Sequence, residues 1–436
     1  MAMKKLKDNL LHIGLIITIL ISILFSALIW INPAPVQKSL NQEDNTAVTQ
    51  DTNYDINDIY FPTNIIYNQT AKKQYLVSSK KVDLTRNIKT LSQKWSTKHL
   101  TKITQNSQTK YLKYLTLTDA AVLRYPDKVS TALFTSKKKI NYEFNWIVIA
   151  LNTNRVYFLN DEKQAVYQLK TNSLVNRKAK KLIIDERLKK VPFTYQRLGK
   201  HYVIAYPNEV SVPRYSYLIN KENAGVYIGR LLGTSNSGSI STREQYKETV
   251  YSDDNGKKLS VNSQTSEVVF NDYNQVALKK QTFYTNLQAN FKLLNTLGVT
   301  LDDIRYSSYN ANTNTITYRS YINGYPIIAK NCYGTFKVQI KASGTKQLEF
   351  SLDTLQIPVP ANGQEKVLPK TQTILEQLQQ AEVDLDNISD LSIGYAWSDN
   401  ASAKMVIDLT PTYFVKYRGT WFDYQDLLAG NYLPLE

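Results

Sequence analysis

The chain has 436 residues, 53 Lys/Arg against 37 Asp/Glu, a net charge of +16, three histidines and one cysteine. One cysteine excludes an intramolecular disulfide, and no His or Cys pair stands at metal-ligand spacing. The charge is lopsided: residues 1–200 hold 32 Lys/Arg against 14 Asp/Glu, and residues 201–436 hold 21 against 23.

Residues 1–9 are a short basic start carrying Lys4, Lys5 and Lys7. Leu10 to Ile31 is an apolar run without an acid, Lys or Arg. As a helix it spans about 33 Å at about 1.5 Å per residue, enough for a hydrocarbon core of about 30 Å. Asn32-Pro33-Ala34-Pro35 ends it, and Trp30 suits the outer interface. A cleaved signal peptide fits less well, because its apolar region is typically about 7–15 residues. The positive-inside rule makes 1–9 cytoplasmic and the bulk extracellular, so a single-pass protein of the cell membrane is expected. Within the run, Gly14, Thr18, Ser22 and Ser26 recur every fourth residue and share one helix face. Small residues at that spacing let helix backbones approach in lipid, which gives a docking face for another membrane helix. A plain anchor explains the spacing equally well.

Residues 32–55 read as a polar tether and residues 56–200 as a basic extracellular domain. In the latter, 111–126 shows strand-like alternation with a turn at Tyr125-Pro126. The segments 144–152, 154–161 and 165–170 follow as antiparallel strands. Residues 201–280 read as a central domain, in which Asn255-Gly256 between two extended runs predicts a hairpin. Residues 281–436 open with a helix over 282–297, ended by Gly298, and carry a second helix over 371–381. Strands are expected at 315–322, 334–342, 390–398, 403–417 and 419–424. The class is α+β: a multi-domain ectodomain rich in antiparallel sheet with a few packed helices, on one transmembrane helix.

A disulfide-free protein outside the membrane suits a Gram-positive surface. The basic half faces outward, which argues against nucleic acid and leaves anionic lipid headgroups or wall polymers as counter-charges. No phosphate loop, dinucleotide loop, CxxC or HExxH occurs. Ser343-x-x-Lys346 followed by Ser398-Asp399-Asn400 imitates a penicillin-recognising enzyme, but no K-T-G follows, and Ser343-Gly344 reads as a turn rather than a helix start. Asp302-Asp303 and Asp253-Asp254 are adjacent, a poor arrangement for carboxylates that must oppose each other across a sugar. Cys332 reads as a packed thiol. No enzyme, cofactor or metal is expected.

The order of features resembles the YycH (WalH) family of two-component regulators. The more specific match is distal: "ITYRSYINGYPI" (316–327), "KVLPKTQTILEQL" (366–378), "IGYAW" (393–397) and "DLTPTYFVKYRGTW" (408–421). Residues 56–280 match only in general character. The resemblance implies no catalysis. It implies binding to a YycI-type regulator and to the YycG (WalK) sensor histidine kinase, with the transmembrane helices contributing. It favours the docking reading of Gly14, Thr18, Ser22 and Ser26, and makes Tyr325, Tyr395, Trp397 and Trp421 fold determinants. A surface-anchored wall-polymer binding protein or wall-modifying enzyme is the competing class.

Overall fold

The computed structural model describes residues 54–79, 82–92, 95, 100–134, 141–233, 240–274, 282–301, 303–359, 365–432 and 435, together with Thr18, Ile19 and Ser22. Residues 1–50 and 51–436 are separate compact units. In the first, Thr18, Ile19 and Ser22 are helical and exposed. The rest of the expected membrane segment, with Gly14 and Ser26, lies outside the described residues. Among the described residues no helix is long and apolar enough to cross a membrane.

The second unit is α+β and sheet-rich. Its first sheet comprises β1 (Asn64–Thr70), β2 (Lys73–Ser78), β3 (Leu100–Thr104), β4 (Ala120–Ser130), β5 (Glu143–Ala150), β6 (Arg155–Asn160), β7 (Ala165–Lys170), β8 (Lys189–Leu198) and β9 (His201–Ala205), in the order 3-7-6-5-4-1-2-8-9. Next come β10 (Val210–Pro213), β11 (Tyr215–Lys221), β12 (Ser241–Gln245), β13 (Glu248–Ser252), β14 (Lys257–Asn262), β15 (Glu267–Asp272), β16 (Ile304–Asn310), β17 (Thr315–Ile322), β18 (Tyr325–Pro326), β19 (Thr335–Ile340) and β20 (Lys346–Ser351). The chain closes with β21 (Asp353–Val359), β22 (Glu365–Leu368), β23 (Ile388–Asp399), β24 (Val406–Tyr417) and β25 (Thr420–Asp423). A second sheet runs 12-13-14-15-20-19-17-16 with β18 on β17; a third runs 21-11-24-23 with β25 on β24; β10 and β22 pair alone. The second sheet therefore takes strands from both sides of residue 280. Seven α-helices are described: α1 (Leu84–Ser92), α2 (Gln108–Leu115), α3 (Ser173–Ile184), α4 (Ala224–Leu232), α5 (Phe283–Asn295), α6 (Thr371–Gln380) and α7 (Tyr424–Leu428).

The first sheet is buried on both faces, which is why β5 reads as an unbroken apolar run. Leu123, Ile147, Ile149 and Phe158 pack with Ile88 of α1 and with Ala179 and Ile183 of α3, and this core continues to Tyr306, Tyr318 and Phe350. Their strand neighbours Val122, Trp146, Val148 and Tyr157 point the other way, toward Tyr111 and Leu115 of α2, and that core continues to Ile374, Leu391 and Tyr395. The predicted hairpin forms between β13 and β14. Gly256 takes φ +79°, and the Asp253 carboxylate accepts from the Asn255 and Lys257 amides at 2.9 and 2.7 Å. The two predicted helices form as α5, whose N-cap Thr282 accepts from the Thr285 amide, and α6, which follows Pro369.

Two expectations are corrected. The start of 111–126 is helix, not strand: Tyr111 and Leu115 lie four apart and are fully buried, and apolar pairs at 111/112 and 114/115 suit a period of 3.6 as well as alternation. No turn breaks the chain at Tyr125-Pro126; β4 runs through it on a register shift between Arg124 and Val129, a bulge that tolerates proline. Helices α1, α3 and α4 had no counterpart in the sequence reading.

Candidate functional site

The bulge in β4 is where the three sheets meet. A β4 strand in regular register would send Arg124 to Lys128 alternately to its two faces. The bulge interrupts that alternation, and β23 has a register shift of its own between Ile388 and Asp390. Arg124 and Asp390 form a buried ion pair, 7 % and 6 % exposed. The Arg124 guanidinium also lies 5.5 Å from the Trp146 ring centre, and Asp390 accepts from the Leu391 amide at 2.7 Å. Asp127 takes the Lys416 ammonium of β24 at 3.2 Å and the Tyr309 amide of β16 at 3.1 Å. The Tyr306 hydroxyl donates to the Lys128 carbonyl at 2.7 Å. One five-residue stretch thus binds the first sheet to both others.

Beside it lies a cavity of about 70 Å³, lined by Arg124, Asp127, Asp161, His201, Asp390 and Lys416 among others. Asp161, 2 % exposed, accepts from the Tyr111 hydroxyl, from Trp146 Nε1 at 3.0 Å, from Asn145 Nδ2 at 3.0 Å and from the Tyr202 amide at 3.3 Å. Burial raises its carboxyl above the usual range, and these bonds oppose the rise. The cavity has room for a few waters. Arg124 is paired with Asp390, Asp127 with Lys416, and Asp161 is held by neutral donors, so the arrangement is a polar weld between sheets. Sequence reasoning missed it, although the signal was present: Arg124 interrupts the apolar run "AAVL".

The distal motifs converge on a second lock. In "YRSYINGYPI", Arg319 is fully buried and donates to the Ile327 carbonyl at 3.2 Å, Thr335 Oγ1 at 2.9 Å and Ser307 Oγ at 3.2 Å. Burial lowers this guanidinium to about 10. The held turn lays Ile327 and Ile328 beside Tyr395 of "IGYAW", where the Ile328 amide donates to the Tyr395 carbonyl at 3.0 Å. Tyr325 meets the Tyr395 ring edge-on at 6.1 Å, and the Tyr395 hydroxyl donates to the Pro213 carbonyl at 3.0 Å. Trp397 stacks on Tyr333 at 4.9 Å, and Trp421 packs with Ile328 and Phe414. All four aromatic landmarks therefore sit in packing positions.

Cys332 is buried and donates to Glu267 Oε1 at 3.4 Å, with the Glu349 carboxylate nearby. Three donor atoms within 4.8 Å of one another could face a cation. However, burial pushes the thiol up to about 12, and Lys337 pairs with Glu349 at 3.5 Å, so the trio is satisfied by a proton and an ammonium. Ser343 and Lys346 lie around the turn from β19 to β20, and Asn400 donates to the Asp408 carboxylate at 3.0 Å. Asp253 serves the hairpin turn, and Asp302 lies outside the described residues. Thr18 and Ser22 share the first unit's described helical positions; Gly14 and Ser26 cannot be placed beside them.

The family model described as the YycH protein N-terminal domain matches residues 9–187, and that for the YycH protein C-terminal domain matches 206–428. Among solved structures, that of YycH from Bacillus subtilis superposes with a TM-score of 0.68 at 16 % identity, covering 85 % of this chain and 97 % of that one. An uncharacterized protein from Eubacterium rectale gives 0.31 at 10 % identity over 55 % of this chain and 84 % of that one. No curated protein matches the sequence.

Proposed function

The chain belongs to the YycH family, and on that premise we propose that it is a membrane-anchored extracytoplasmic regulator of the YycG (WalK) sensor histidine kinase of the cell-wall two-component system. In this reading residues 10–31 span the membrane, the bulk is extracellular, and the helix packs with the kinase and a YycI-type regulator through Gly14, Thr18, Ser22 and Ser26. The observation that carries the proposal is the pair of family-domain matches, which together run from residue 9 to residue 428.

A regulator without chemistry of its own works by differential affinity. It must bind one signalling state of the kinase more tightly than the other, since equal affinity shifts nothing. A tenfold preference, about 1.4 kcal/mol, moves a balanced kinase from half to about nine-tenths in one state. Close helix packing in lipid supplies energies of that order. Ser22→Leu with Ser26→Leu thickens the face without reducing hydrophobicity. The expected outcome is a loss of association with kinase and YycI in a membrane two-hybrid assay, with expression retained. An unchanged signal removes the helix from the mechanism. If the full chain instead hydrolyses or tightly retains wall polymers, the competing class takes over.

A further inference from the structure

We propose that the outer face of α3 is a contact surface for anionic phospholipid headgroups. The inner face of this helix is committed to the fold. Val175, Ala179 and Ile183 are buried. Asn176 ties the helix to the β5–β6 turn, donating to the Ala150, Thr153 and Arg155 carbonyls at 2.9, 2.8 and 3.1 Å. At about 100° per residue the exposed positions Leu174, Arg177, Lys178, Lys181 and Ile184 fall in one arc of about 120° on the opposite side.

That arc carries three cations and no carboxylate. Among the described residues no ion pair involves Lys178 or Lys181, whereas the flanking Lys180 is held by Asp119 at 3.0 Å, and Arg187 by Asp185. Glu186, just past the helix end, and Lys189 and Lys190 at the start of β8 are also exposed. The two apolar members distinguish lipid from a soluble polyanion. Leu174 is 57 % and Ile184 36 % exposed, one at each end of the cationic stretch. A phosphate polymer in water gives those side chains nothing, whereas the headgroup boundary accepts apolar tips and cations together, with long Lys side chains reaching toward phosphate.

The inference rests on the membrane-anchored reading, in which residues 32–53 reach at most about 75 Å when extended, so the bilayer surface stays within range. Full-length protein is reconstituted into nanodiscs of phosphatidylcholine alone or mixed with phosphatidylglycerol, and amine acetylation is read residue by residue. Lys178 and Lys181 are expected to label roughly threefold more slowly in the anionic discs, with added salt reversing the effect, and the exposed Lys404 of the β23–β24 turn unchanged. Equal labelling in both discs overturns the proposal. Leu174→Gln with Ile184→Gln is expected to lose most of the protection while thermal unfolding is unchanged; full retention of protection, or equal protection of both lysines by soluble polyphosphate, overturns the choice of lipid. If the chain does not enter discs at all, the anchor reading fails. Flotation of the same protein with anionic vesicles then tests the face by itself, with Lys178→Glu/Lys181→Glu expected to reduce binding at least tenfold and no binding by wild type counting against it.

Discussion

The amino-terminal sheet and the carboxy-terminal sheets bury their polar groups in different ways. Around the first sheet, charged groups go inside: Arg124 against Asp390, Asp161 among four donors, and Lys89 over a ring. In the distal sheets the buried cation Arg319 is held by neutral oxygens, and the landmarks are tyrosines and tryptophans packed against backbone. The difference sets what each region needs. Charge–charge contacts rely on partners far along the chain, such as 124 and 390. The distal lock relies on one turn and one strand, so a short motif carries most of it.

The largest expected effect comes from breaking the contact that crosses between the regions. Arg124→Met leaves Asp390 buried without its partner, which costs about 3–5 kcal/mol. Denaturant unfolding followed by tryptophan fluorescence is expected to show that loss. If the pair is what welds the sheets, the single transition also splits in two. Adding Asp390→Leu removes the orphaned charge and is expected to restore most of the stability. A loss below about 1 kcal/mol with one transition would reduce the pair to a bystander.

The same contrast is sharpened in the distal lock by Gly394→Ala. A Cβ there meets the Pro326 carbonyl oxygen at 2.9 Å and the Phe414 ring at 3.0 Å. Neither is a flexible chain end, so strand and turn must part, at a cost of about 1–3 kcal/mol. The loss is expected in the same unfolding assay. Hydrogen exchange of the Ile328 amide, which bonds to Tyr395, is expected to quicken as well.

How much the sequence revealed follows the same division. The hairpin at Asn255-Gly256, the helices α5 and α6, and the strands β5, β17, β23 and β24 were legible because each carries its own local signal, a turn pair, an apolar helix face or an extended β-branched and aromatic run. The motif around Arg319 was legible as a landmark, though not as a buried cation. Helix α2 was misread, because Lys110 and Lys113 among apolar residues fit two periods at once. Helices α1 and α3 were not read from the sequence. The weld at Arg124 stayed hidden because nothing near residue 124 says that residue 390 awaits it. The spacing of Gly14, Thr18, Ser22 and Ser26 was legible as a pattern, and its role as a docking face belongs to the proposal.

The smallest effect probes a buried cation of the amino-terminal region. Lys89 is 5 % exposed, and its ammonium has no hydrogen-bond partner among the described residues and lies 3.7 Å from the Phe61 ring centre. Burial lowers it to about 7; Asp58 and Asp55 oppose the shift, and Arg86 and Arg305 add to it. An unfolded lysine titrates near about 10.4, so between pH 7 and 10 the unfolded chain binds more protons and stability rises with pH. Above about pH 10 the sign reverses. Buried Tyr60, Tyr111 and Tyr306 are raised above the ordinary value, so the unfolded chain loses protons first and stability falls. Lys89→Met keeps the packed stem and removes the charge. It is expected to stabilise the protein by about 1–2 kcal/mol at pH 7 and to flatten the rise between pH 7 and 10, leaving the alkaline fall intact. An unaltered slope in the mutant would mean that the ring and the nearby carboxylates hold Lys89 charged across that range, and the amino-terminal region would then tolerate a buried cation as well as the distal region tolerates Arg319.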